Sequence, residues 1–280
     1  MIVSKYFSSE FNRQIRSLYN KEMKTKIVLF VKDKKIIDIE YNDDNSLQIN
    51  ESDELYNEAI YIDNPFVMDS VKSFPVYYSF RRIQYGHNEK LINKLSNDNV
   101  RQSIIEEVMS KQNYEIIIKR IQNIINGEFI YDDEDLMFVE KNTNIKVGLS
   151  NLSTGIKAFS ILLKLIENGE IKENGVLILD EPEIHLHPKW QLKFAEILVL
   201  MQKELNLHIL LNSHSPYFIQ AIEVSSAKYE IADKCKYYFS YLEDNCAMFE
   251  DVTTNISKIY RILSEPLIEL TKEIYSDGEI

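Results

Sequence analysis

The chain has 280 residues, 45% of them hydrophobic, enough to bury a sizeable core in one large domain or two small ones. A formal net charge of −12 argues against broad electrostatic binding to DNA, leaving only a local basic patch for such a role. No apolar run approaches the ~20 residues that a membrane-spanning helix needs, and low-complexity tracts, repeats and long linkers are absent.

The first residues, Met1 to Lys5, have no basic stretch leading into an apolar core, so the reading is a cytoplasmic protein without a signal peptide. Phe11, Ile15, Leu18 and Met23 recur at helical spacing and predict a helix from Ser8 to about Lys24. Lys26–Val31 and Lys35–Tyr41 read as strands around a Lys-Asp-Lys turn, and polar Asp43–Asp53 reads as a loop. Glu58–Ile62 reads as a third strand, closed by Asn64 and Pro65. From Val67 to about Asn126 the pattern is mostly helical, with partial apolar stripes through Leu91, Ile92, Leu95, Ile104, Ile105 and Val108. Glu128–Tyr131 and Leu136–Glu140 form an expected hairpin with an acidic turn.

Patterns sharpen in the second half. A helix is expected from Ile156 to Asn168, stopped by Gly169. Gly175 precedes Val176–Leu179, a short apolar run suited to a buried parallel strand. Pro188 suits the first position of a helix to Leu205, whose stripe is Trp190, Phe194, Ile197, Leu198 and Met201. His208–Leu211 is a further buried strand, after which Ser215 caps a helix opened by Pro216. Lys236–Tyr241 and Cys246–Glu250 read as strands, and a last helix runs from about Ile256 with a break near Pro266. Cys235 and Cys246 lie eleven apart without a CxxC pattern or nearby paired histidines, which suits isolated reduced thiols.

The chemistry concentrates after Val176–Leu179. Asp180 and Glu181 end a central strand, where one carboxylate suits Mg²⁺, held through water, and the other suits a general base for an attacking water. That is ATP chemistry at the carboxyl edge of an α/β sheet. His214, at the end of the next strand, suits a hydrogen bond to a γ-phosphate. Ser153 and Gly155 stand where a helix begins, so backbone N–H groups and the helix dipole there favour a phosphate. Each feature alone is ordinary: Asp-Glu after a strand is usually a loop, and a lone histidine is usually structural. His185 and His187 could suggest a metal pair, but no third ligand accompanies them, and Trp190 reads most simply as a core anchor.

Their order and spacing carry more than their identities. Leu152-Ser153-Thr154-Gly155 is followed 25 residues later by Asp180-Glu181, and His214 follows Glu181 by 33. In this the chain resembles the ABC-type ATPase superfamily, in particular its soluble AAA-type branch, to which the OLD and SMC ATPases are related. Asp180–Pro188 matches the extended Walker B phrase Asp-Glu-Pro-Glu-(Ile/Val)-His-Leu-His-Pro, which also accounts for both histidines as part of the D-loop region. Asn212–Pro216 matches the histidine switch, and Leu152–Gly155 a variant of the ABC signature. The resemblance is strong from about Leu149 to Glu265 and mainly topological before that.

The resemblance implies an α/β fold with an ABC-ATPase-like (P-loop NTPase) core sheet, flanking helices and an inserted helical lobe. It divides the chain into 1–63, the start of the ATPase core; 64–155, the inserted lobe ending in the signature; and 156–280, the core with Walker B and switch histidine. It implies ATP and Mg²⁺ as cofactors, catalytic Glu181 and His214, Mg²⁺ at Asp180, and Leu152, Ser153, Thr154 and Gly155 facing ATP bound on an opposing subunit. A homodimer, or pairing with an ATPase chain that carries Walker A, would close on ATP and move an effector protein. By analogy such relatives serve DNA maintenance or defence against phage.

One element of the resemblance is missing. Nothing in the chain matches G-x-x-x-x-G-K-[ST]; the first glycine is Gly86, followed by His87 and Asn88. The expectation is a chain that starts just beyond the P-loop, with the P-loop strand absent and one side of Val176–Leu179 left without it; a strand from another chain, a truncated start or a rebuilt sheet are the alternatives. Each lost charge-assisted hydrogen bond is worth roughly 1.5–3 kcal/mol, and losing three or four would rival the about 8 kcal/mol behind a micromolar site. Asn64 is the nearest stand-in for a Q-loop glutamine, and the 66 residues after His214 are too few for a Toprim-like nuclease domain. The alternative class is a catalytically inactive interaction protein that keeps the ATPase fold to dimerise with an intact partner.

Overall fold

The computed structural model describes residues 25–31, 34–41, 47–52, 59–71, 86–96, 112–132, 135–244 and 246–276; the helix expected at Ser8–Lys24 lies outside them. An antiparallel meander comes first, made of β1 (Thr25–Val31), β2 (Lys34–Tyr41) and β3 (Leu47–Ser52). β3 corrects the loop expected over Asp43–Asp53. Its Leu47 and Ile49 alternate with polar residues and pair with Tyr41 and Ile39, so cross-strand pairing outweighs a polar composition.

β4 (Ala59–Ile62) leads through Asp63 and Asn64 into a 3-10 turn at Pro65–Ser70, which the Asn64 side chain caps. Next come α1 (His87–Ser96) and α2 (Gln112–Ile125). The expected hairpin forms as β5 (Gly127–Asp132) and β6 (Asp135–Glu140), and β7 (Lys146–Gly148) adds a third strand to it. α1 packs on the 3-10 turn, β4 and the first of the two helices that follow Leu152, and α2 packs on both of those helices.

Those are α3 (Thr154–Glu167) and α4 (Pro188–Leu205), separated by β8 (Val176–Asp180). β9 (His208–Asn212) and α5 (Pro216–Lys228) follow, then the hairpin β10 (Tyr238–Glu243) and β11 (Cys246–Asp251). α6 (Ser257–Ser276) runs through Pro266, which corrects the break expected there. A proline costs the helix one backbone hydrogen bond, and in this exposed segment that cost does not end it.

The organising sheet is parallel, in the order β4-β8-β9. β8 has no unpaired side, which corrects the expectation of an open one and agrees with the alternative of a rebuilt sheet: β4 covers one edge from Ala59 to Ile62 and β9 the other from His208 to Asn212. β8 therefore satisfies its backbone groups within the described residues, and β9 stands at the sheet's edge among them.

α3 is buried on all sides from Lys157 to Ile166, as its nearly continuous apolar sequence requires. Phe159 meets Phe194 of α4 edge-on at 5.0 Å, and Phe194 in turn approaches Phe218 of α5 at 6.4 Å. These rings join the helices into one continuous core that includes Leu177 and Leu179 of β8. Each helix around the sheet starts at its capping residue: Ser153 for α3, His187 before Pro188 for α4, and Ser215 before Pro216 for α5.

Candidate functional site

At the carboxyl end of the parallel sheet, Asp180 is the last residue of β8 and pairs in register with Asn212, the last of β9. Each neighbouring strand sends one donor to its carboxylate. Tyr61 Oη–H of β4 donates to Oδ2 at 3.1 Å, and Asn212 Nδ2 donates to Oδ1 at 3.1 Å. An ionised carboxylate offers about four lone-pair sites, so two remain for water or a hydrated cation.

Glu181 turns the chain sharply. Its φ is 45°, in the left-handed region that a non-glycine residue adopts only at a cost. Two backbone bonds hold it there: its own N–H donates to Asn212 O at 3.2 Å, and Ile184 N–H donates to Glu181 O at 3.1 Å. The result carries the Glu181 carboxylate away from the strand and towards β9. Its Oε1 lies 3.2 Å from His214 Nε2. The His214 side chain is 81% exposed and that of Glu181 38%, so both face solvent at the mouth of the edge. Glu181 and His214 therefore meet at this edge, and Asp180 precedes Glu181 in the chain with Tyr61 and Asn212 as its own partners.

The loop between Glu181 and His187 is anchored at both ends. Glu183 is buried, and its Oε1 accepts from Ser213 Oγ at 2.5 Å, His214 N at 3.1 Å and Ser215 N at 3.3 Å. Gln191 of α4 donates through Nε2 to Leu186 O at 3.0 Å, while its Oε1 accepts from Ser215 Oγ at 2.6 Å. On the other side, Thr154 Oγ1 donates to His185 O at 3.3 Å. A Cβ built on Gly155 would sit 2.9 Å from Trp190 Cε3, so only glycine lets α3 start this close to the indole.

The signature residues therefore line up beside the loop rather than on the Glu181–His214 pair. Leu152 is buried in the core, Ser153 Oγ accepts from Ile156 N at 3.3 Å, and Thr154 and Gly155 meet His185 and Trp190. Behind them Lys157, 3% exposed at its side chain, pairs with Asp69 at 2.5 Å and donates to Ser150 O.

Between β4, β8 and α3 a small cleft opens, lined on its polar side by Asp63, Asn64, Asp180 and Glu181. Asn64 reaches this cleft, but its Oδ1 accepts from Phe66 N at 2.9 Å as the cap of the 3-10 turn. Asp63 Oδ2 contacts His87 Nε2 at 2.9 Å. His185 packs edge-on against Phe66 at 5.4 Å, and His187 Nδ1 caps α4 through Lys189 N–H. Among the described residues, no group of three or more histidine, cysteine, aspartate or glutamate side chains is arranged to hold a metal ion.

Four residues that sequence reasoning passed over hold the locus together: Tyr61, Asn212, Glu183 and Gln191. Asn212 and Glu183 sit inside phrases already singled out for other residues, so their motif position was a usable signal. Tyr61 carried none, being 119 residues from Asp180 in the chain.

The parallel sheet with helices packed around it is a P-loop NTPase-like fold of the ABC/AAA type. The chain belongs to the family described as "AAA domain, putative AbiEii toxin, Type IV TA system", whose profile matches residues 80–220. Among curated proteins it is 25% identical to the "Retron Vc95 probable ATPase" of Vibrio cholerae serotype O1 biovar El Tor, over 209 residues that cover 64% of this chain. The match covers 40% of that relative's length. Among solved structures, an SMC head bound to the C-winged helix domain of ScpA superposes with a TM-score of 0.53, at 9% identity, over 92% of this chain and 86% of that one. The SMC head domain from Thermotoga maritima gives a TM-score of 0.42 at 16% identity, over 82% and 73% of the two chains. No helix of the described residues is long and apolar enough to cross a membrane.

Proposed function

We propose that the chain is an ATP-hydrolysing module that works by ATP-dependent dimerisation, with Asp180, Glu181 and His214 as its catalytic edge. The observation that carries this reading is the 3.2 Å approach of His214 Nε2 to Glu181 Oε1 beside a carboxylate held by both neighbouring strands. The donor chemistry fits Mg²⁺, since Asp180 presents hard carboxylate oxygens oriented by Tyr61 and Asn212. Bound there, Mg²⁺ would supply charge neutralisation for the phosphates of ATP.

The remaining roles belong to the protein's own residues. Asp180 holds the hydrated cation through its free lone pairs. Glu181 accepts the proton of the attacking water, and its left-handed backbone projects the carboxylate out of the strand to reach it. His214 donates from Nε2 to the terminal phosphate and, in its absence, rests against Glu181. Leu152, Ser153, Thr154 and Gly155 form the helix start offered to ATP on an opposing subunit, either a second copy or an ATPase chain that carries Walker A. Closure and release of that pair would move an effector protein. Resemblance alone assigns the work to DNA maintenance or phage defence in the cytoplasm.

A second reading is favoured by one sequence fact: no G-x-x-x-x-G-K-[ST] occurs in these 280 residues. On that reading the chain is a non-catalytic interaction protein that keeps the fold to pair with an intact ATPase. ATP binding and turnover by the purified chain, beside Glu181→Gln, separate the two. Turnover that disappears in the variant while ATP stays bound supports the catalytic edge. Turnover unaffected by the substitution removes Glu181 from its role. No binding and no turnover favour the interaction protein.

A further inference from the structure

Glu183 has no part in the roles above, yet it is the most constrained carboxylate at the edge. It is 4% exposed, and three donors converge on one of its oxygens: Ser213 Oγ–H, His214 N–H and Ser215 N–H. All three come from the segment that carries the switch histidine, 30 to 32 residues further along the chain. The other oxygen, Oε2, is buried without a hydrogen-bonding partner among the described residues.

That asymmetry bears on why a glutamate stands here. A buried carboxylate with one bare oxygen is an expensive way to stabilise a loop, and a neutral acceptor would desolvate at lower cost. What a carboxylate does well is gather several N–H and O–H donors onto one point with strong, charge-assisted bonds. The point it fixes is the backbone N–H of His214 itself. Glu183 also lies two residues after Glu181, in the loop that Gln191 ties to α4 and to Ser215. One short, anchored loop therefore bears the Glu181 carboxylate and grips the peptide that bears the imidazole facing it.

We infer that Glu183 is a positioning residue, whose Oε1 holds the Ser213–Ser215 segment so that His214 faces Glu181. The inference rests on the ATPase reading for its kinetic consequence but not for its geometry. It predicts an effect on His214 and on the chemical step, not on the affinity for nucleotide.

The test uses the whole chain and two readouts. The first is the imidazole resonances of His214, one of five histidines, assigned by their loss in His214→Ala. The second is ATP turnover, resolved into kcat and KM. Glu183→Ala should shift the His214 signals and lower kcat about ten-fold or more, with KM for ATP within about two-fold. Glu183→Gln keeps one acceptor oxygen and should fall between Ala and the natural residue in both readouts. Ser213→Ala removes one donor from the opposite side without touching Glu183. It should shift the same signals in the same direction by less, and it decides the matter if Glu183→Ala does not fold. Unmoved His214 signals in Glu183→Ala, or in Ser213→Ala where that variant stands alone, overturn the inference, as does a lowered melting temperature with unchanged kcat. If the unaltered chain turns over no ATP, the ATPase reading fails, and the His214 signals by themselves decide the role of Glu183.

Discussion

Two carboxylates separated by fifteen positions, Glu181 before α4 and Glu196 within it, stand in opposite conditions. Glu196 is engaged at both oxygens: Oε2 accepts from Arg120 of α2 at 3.0 Å, and Oε1 from Lys228 at 2.7 Å and Tyr229 Oη at 3.0 Å. Burial pushes its pKa up, but the bonds from Lys228, Arg120 and Tyr229 outweigh that and hold it at about 2. Glu181 has one side-chain approach, from an exposed histidine, and a backbone in a costly conformation. Glu196 ties three helices together. Glu181 keeps its acceptor capacity open at the price of local strain, as a group must if it is to take a proton from water.

The largest effect expected from breaking this comparison is kinetic. Glu181→Gln should lower ATP turnover by roughly 10²–10⁴-fold, the usual weight of a general base, while shifting the unfolding free energy by less than about 0.5 kcal/mol. Denaturant unfolding beside a turnover assay checks both; a comparable loss of stability would make Glu181 structural. Glu196→Ala should do the reverse. It should destabilise by about 1–3 kcal/mol by leaving Arg120, Lys228 and Tyr229 without their shared acceptor, at a discount because Arg120 and Lys228 are half exposed or more. Turnover per folded molecule should hold.

The same carboxylate predicts a pH dependence of smaller size. Its folded pKa, about 2, lies below the ordinary carboxylate value, so its contribution is complete above the unfolded value near 4.5 and disappears as pH falls towards 2. After allowance for solvent screening of its partners, that window should contain about 2 kcal/mol of unfolding free energy from this group. Unfolding curves between pH 5 and pH 2 should show this slope in the natural chain and a shallower one in Glu196→Ala. Equal slopes would mean that the three donors do not hold this carboxylate as the geometry indicates.

Why one carboxylate of the pair was readable and the other was not follows from where their partners lie. β8, α4, β9 and the cap at Ser215 were legible because each is a short continuous pattern with its own stop signals. Asp180, Glu181 and His214 stood out for the same reason, at the ends of recognisable strands. Partners set by strand order were not legible. Tyr61 reaches Asp180 only because β4 lies beside β8, and β8 is flanked on both sides because β4 and β9 both pair with it. Nothing local marks Glu196, because its three donors, Arg120, Lys228 and Tyr229, come from α2 and from the end of α5. β3 and the uninterrupted α6 mark the limits of composition as a guide: cross-strand pairing overrode one polar stretch, and one proline did not stop a helix.

The smallest predicted effect lies where α4 begins, beside the signature. A methyl group at Gly155 would meet Trp190 at 2.9 Å from Cε3 and 3.2 Å from Cζ3. The indole yields only at a cost, because it also approaches Phe159 edge-on at 5.4 Å, and Phe159 is fully buried. Against that stands the gain of alanine over glycine in a helix, roughly 1 kcal/mol. The two terms oppose each other at similar size, so Gly155→Ala should change the unfolding free energy by less than about 1 kcal/mol while displacing the ring. Trp190 is the sole tryptophan, so its emission reports that displacement directly. A shifted emission maximum at nearly unchanged stability would locate the signature glycine against the indole. An unshifted maximum would separate α3 from α4 at this point, and with it the link from the signature to the loop that carries Glu181.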